Sequence, residues 1–126
     1  MAEKPRLLPG PEHPITIKAS TDRVVVTVAG KVVADTRNAL VLQEANYPPV
    51  RYLPLTDVDE SLLSRSETSS YCPYKGDAGY YSIPVGGDKS VDALWEYTAP
   101  FDAVAPIVNH VAFYPDRVDS IEVTLA

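Results

Sequence analysis

The stretch "RVVVTVAGKVVADT", residues 23–36, decides the fold class. Two valine-rich runs, residues 24–28 and 31–34, flank Ala29-Gly30. β-branched side chains are stiff at χ1 and suit a pleated surface. Glycine supplies the positive φ that a tight connection needs. The pattern predicts an antiparallel hairpin.

Outward from this hairpin the chain reads as more short strands. "ITIK" precedes it, and residues 1–14 form an irregular, proline-rich arm. "NALVLQEA" reads as a strand closed by Asn46, Pro48 and Pro49, and "VRYLPL" as another ended by Pro54. "TDVDESLL" predicts a helix of one or two turns, with Thr56 as cap and Asp57 and Asp59 at its positive end. "TSSYCPYKGDAGYYSIPV" reads as strand, turn, strand, and "GGDK" as a turn. "SVDALWEYTAP" is read as a half-buried strand with Trp95 and Tyr97 on one face and Glu96 turned to solvent. "FDAVAPIVN" predicts a short helix, and "HVAFYPDRVDSIEVTL" a second hairpin around Pro115-Asp116. Twelve prolines are spread along 126 residues, which argues against long helices. The expectation is a mainly β fold: one small domain over residues 15–126, its antiparallel strands forming a rolled two-sheet sandwich or barrel with one or two short helices.

Bulk properties narrow the function classes. No apolar run approaches the roughly 18 residues of a membrane span, and the N-terminal segment lacks the apolar stretch of a signal peptide, so a cytoplasmic protein without membrane contact is expected. The net charge is −6, from 11 basic and 17 acidic residues, and the basic residues are scattered. That balance speaks against a nucleic-acid partner. One cysteine forbids an intrachain disulfide, and with His13 and His110 it is a poor basis for a zinc site. No metal or cofactor is expected. Walker, GxGxxG and HExxH motifs are absent.

The lone cysteine lies in "SSYCPYKGDAGYY", residues 69–81. Cysteine attacks as the thiolate, and its free pKa of about 8.5 falls beside a cation. A β-turn over Cys72-Pro73-Tyr74-Lys75 would bring Lys75 within about 7 Å of Cys72. Gly76 would let the chain leave with positive φ. Tyr71, Tyr74, Tyr80 and Tyr81 could wall a pocket with apolar faces and hydroxyl tips. The opposing reading is an inert, packed thiol with a solvated lysine. His110 could reach Cys72 only through the fold. Glu44 and Arg51 read either as a structural ion pair or as an anion site with its counter-charge.

"HPITI", "RVVVTVAGKVVADT", "SRSETSSYCPYKGDAGYYSI", "LWEY" and "VAFYPDRVD" occur in the order of a bacterial and fungal family, and over about residues 10–124 the chain resembles domain of unknown function family 427. The resemblance implies a small, mostly β domain similar to tent-like two-sheet folds. Its signature residues fall on Glu44, Arg51, Tyr52, Cys72, Pro73, Lys75, Gly76, Tyr81, Trp95, Tyr97 and Tyr114. One departure is Asn109-His110, where relatives commonly carry a small residue; His110 would reshape a pocket there. The family also carries a nucleotidyltransferase heading, for which these residues supply neither metal-binding carboxylates nor a phosphate cradle.

The resulting expectation is a pocket for a small, anionic molecule. Cys72 and Lys75 are its chemical groups, and Glu44, Arg51, Tyr52, Tyr74, Tyr81, Trp95, Tyr97 and His110 are its ligand-binding residues. The alternatives are an interaction or homodimerisation face rich in tyrosine, and nucleotidyl transfer. Lys75 separates the first two. Buried beside Cys72 in a concavity it favours a site, and in solvent on a flat face it favours an interface.

Overall fold

The computed structural model describes residues 4–126; the first three residues of the expected arm lie outside the described residues. Ten strands build two antiparallel sheets, neither closed into a barrel. The strands are β1 (Ile15–Ala19), β2 (Arg23–Val28), β3 (Lys31–Thr36), β4 (Leu40–Glu44), β5 (Val50–Pro54), β6 (Ser64–Cys72), β7 (Gly76–Ser82), β8 (Leu94–Tyr97), β9 (His110–Phe113) and β10 (Ser120–Thr124). The large sheet has the order β1-β4-β5-β9-β8-β7-β6, and the small one β10-β2-β3. The mainly β, two-sheet expectation therefore holds. Helical content among the described residues is limited to short 3-10 turns.

The valine hairpin forms as read. Ala29 and Gly30 take φ of 51° and 77°, the two positive values of a type I′ turn. Val24, Val26 and Val28 of β2 then point one way, into a core with Leu53, Leu94, Val111 and Phe113 of the large sheet. The opposite face of the large sheet carries a second core of Leu42, Tyr52, Ala78, Tyr97 and Ala112, covered by Val104 and Ile107 from the turn at Asp102–Ile107.

Three local expectations fail for identifiable reasons. The segment 56–63 makes two 3-10 turns, Leu55–Asp57 and Glu60–Leu62, because Val58 between them is extended and bridges Ala34. Thr56 does not cap; Asp59 accepts from the Ser61 N–H instead. Strands β9 and β10 do not pair as a hairpin. β9 lies between β5 and β8, whereas β10 crosses to β2, where Ile121 and Val123 pack on the valine core. Glu96 is not solvent-facing: β8 is an interior strand with both faces covered, and Glu96 is 5% exposed, accepting from Arg65 and Tyr81 at 2.9 and 3.0 Å.

Candidate functional site

Residues 72–75 form the expected β-turn, in which the Lys75 N–H donates to the Cys72 carbonyl at 3.1 Å. Gly76 leaves it with φ of 112°, and a Cβ there would meet the Ala99 carbonyl at 3.3 Å. The turn folds the lysine side chain inward. Lys75 is 7% exposed, its Nζ donating to Glu44 and lying 3.7 Å from Cys72 Sγ. Glu44, at the end of β4, also accepts from His13 Nε2 at 2.7 Å. His13 in turn stacks flat on Tyr74, with ring centres 4.0 Å apart. Burial pushes the Glu44 carboxyl up, but the hydrogen bonds from Lys75 and His13 outweigh it and hold it below its ordinary range.

This pair sits at the base of a concavity of about 240 Å³. Its aromatic wall is Tyr52, Tyr80, Trp95, Tyr97 and Tyr114. Trp95 and Tyr97 share a face of β8, and Tyr52 meets Trp95 edge-on at 6.3 Å. Burial raises Tyr52 and Tyr114 to about 12 and pushes Tyr97 up as well, so these phenols remain neutral donors and acceptors past the ordinary phenol value of 10.0.

The fold thus brings Glu44, Tyr52, Lys75, Trp95 and Tyr97 together, with Cys72 beside Lys75 and packed against the second core. Four expected residues fall elsewhere. Arg51 pairs with Val41 across the β4–β5 ladder, one step out of phase with Leu40 and Tyr52, so it faces away from Glu44 and makes no ion pair with it. Tyr81 alternates with Tyr80 along β7 and turns to Arg65 and Glu96. Tyr74 is behind the concavity, on His13, and His110 pairs with Pro54 while its Nδ1–H donates to the Val108 carbonyl. Tyr71 also leaves the wall: its hydroxyl donates to the Pro5 carbonyl and its ring meets Phe101 edge-on.

Sequence reasoning missed His13 as a partner of Glu44. The signal was the spacing of His13, Ile15 and Ile17, which alternate at the period of a strand and so share a face. Ile15 pairs with Glu44 in the β1–β4 ladder, which places His13 next to that carboxylate. Tyr47 and Tyr114 were likewise not read as lining residues from spacing.

Among the described residues, no three His, Cys, Asp or Glu side chains gather as a metal site. Among the described residues, no helix is long and apolar enough to cross a membrane. A search of curated proteins finds no match. A family model described as "Domain of unknown function (DUF427)", labelled NTP_transf_9, matches residues 16–124, and with the turn, the strands and the aromatic residues all inside that span, the chain belongs to this family.

Proposed function

We propose that this domain binds a small polar molecule in the aromatic concavity, with Lys75 donating to an acceptor on the ligand and Glu44 accepting from a donor. The observation that carries the reading is a lysine 7% exposed and paired to a carboxylate at the base of an open aromatic cavity. A buried ion pair contributes little to stability once desolvation is counted, so a binding role accounts for it better than a structural one. Because the pair is electrically balanced and its neighbours are neutral phenols, a ligand carrying both a donor and an acceptor, such as a zwitterion or an amide, fits better than a bare anion. The volume is small beside the usual ligand pockets of roughly 300–1,000 Å³, which favours a compact ligand. Amine chemistry at Lys75 would need the ammonium to lose a proton first, with the paired Glu44 carboxylate as the nearest acceptor, and thiol chemistry at Cys72 would need its thiolate.

The interface reading expected Lys75 in solvent and gains no support from its burial. Nucleotidyl transfer rests on the family label; a flat calorimetric titration with ATP and Mg²⁺ would remove it. Trp95 is the chain's single tryptophan and lines the cavity, so its emission reports occupancy. A panel of small zwitterions and amides is expected to include members that change Trp95 emission saturably and shift the Leu42 methyl resonances. The response should vanish in Lys75→Met and survive in Tyr71→Phe. If no panel member shifts Leu42, or if Lys75→Met binds as well as wild type, the reading fails.

A further inference from the structure

A second cavity, of about 570 Å³, opens between the two sheets. Its walls are apolar and come from both sheets: Leu53 and Phe113 from the large one, Val24, Ile121 and Val123 from the small one. Loop residues 47–49 close one side. Arg51 is the sole charged residue among its lining residues. The Arg51 Nε is buried without a hydrogen-bond partner, and among the described residues Arg51 forms no ion pair. Its cross-strand neighbour is Val41, which offers no acceptor.

A buried guanidinium N–H left unpaired costs free energy, and such groups are normally satisfied. The site is large, apolar and supplied with one oriented cation, the usual make-up of a ligand pocket. We propose that the cleft binds an amphipathic monocarboxylate, with its carboxylate on the Arg51 guanidinium and its aliphatic body between Leu53, Phe113, Ile121 and Val123. A carboxylate matches the planar fork of arginine through two parallel N–H···O bonds. A single guanidinium also balances a single negative charge; a dianionic phosphate would leave charge unmatched in an apolar cleft. This site is separate from the concavity over Lys75, which lies on the other face of β5, although Trp95, Tyr47, Pro48 and Val50 border both.

The test uses the whole chain and two soluble probes, octanoate and octanol, followed by methyl NMR. Octanoate is expected to shift Val24, Ile121 and Val123 saturably while leaving Leu42 in place. Octanol, lacking the charge, should bind on the order of tenfold or more weaker, in line with loss of a charge-assisted hydrogen bond. Arg51→Met should weaken octanoate by a similar factor and leave octanol unchanged. Arg51→Lys, which keeps the charge without the fork, should fall between. Equal binding of octanoate and octanol to wild type overturns the proposal, and so does an octanoate shift confined to Leu42. The wild-type comparison of the two probes decides the matter even if Arg51→Met does not fold.

Discussion

The two faces of the seven-stranded sheet are built from alternate residues of the same strands, yet they differ in kind. On β5, Leu53 enters the valine core while Tyr52 looks into the aromatic concavity. On β8, Leu94 takes the first side and Trp95 the second. The valine face packs against β2, whose Val24 and Val26 are wholly buried. The tyrosine face holds a buried ammonium–carboxylate pair and phenols whose ionisation burial disfavours. Burying apolar surface stabilises a domain whatever its ligand. Burying Lys75 and Glu44 costs desolvation, which for Glu44 the hydrogen bonds from Lys75 and His13 outweigh. One face therefore rests on apolar burial alone, and the other on polar groups that must hold one another in place.

That contrast can be broken most directly on the valine side. Ile83 is fully buried in the first core. Ile83→Ala is expected to cost about 3 kcal/mol in urea unfolding, from lost transfer energy and the remaining cavity. A loss below about 1 kcal/mol would mean that this core repacks freely and does not dominate stability. The next effect lies on the other face. Lys75→Met leaves Glu44 with His13 as its remaining partner, for an expected loss on the order of 1–3 kcal/mol near neutral pH, reduced because both partners keep some solvent contact. Glu44 is held below its ordinary value of 4.5, so its contribution is complete above that pH and fades as pH falls through the lower folded value. Urea midpoints followed into acid should show this loss in wild type and a flatter profile in Glu44→Gln. The smallest effect is at high pH. Tyr52, Tyr97 and Tyr114 are raised from 10.0, so the stability they lend is complete below that pH and lost as pH climbs through their folded values. In an absorbance titration these three should ionise only above the ordinary phenol value of 10.0; their ionisation at that value would show that the concavity is wetter than its geometry indicates.

Legibility followed the same division. The valine hairpin was readable because period-two patterning and a glycine turn are local signals. The turn at Cys72 to Lys75 was readable for the same reason, with Pro73 and Gly76 marking its geometry. Where the reading failed, the deciding information was non-local. Glu96 looked solvent-facing because one strand cannot reveal that it will lie between two others. Glu44 and Arg51 looked like a pair because they are near in sequence, but the β4–β5 register turns them to opposite faces. Tyr80 and Tyr81 are neighbours in sequence, and only Tyr80 lines the cavity. The alternation of His13, Ile15 and Ile17 is the one local signal for His13, and its meaning depends on the pairing of Ile15 with Glu44.

The pairing of β10 with β2 has a kinetic consequence. Val123 sits opposite Val24, so the small sheet joins segments far apart in the sequence. Closing so long a loop costs entropy before any contact compensates for it, and such topologies fold slowly. During synthesis the valine hairpin emerges before β10, with one edge of β2 unpaired until β10 has been made. For that interval it is a sticky strand edge, and the partner that covers it is made only after β3 to β9.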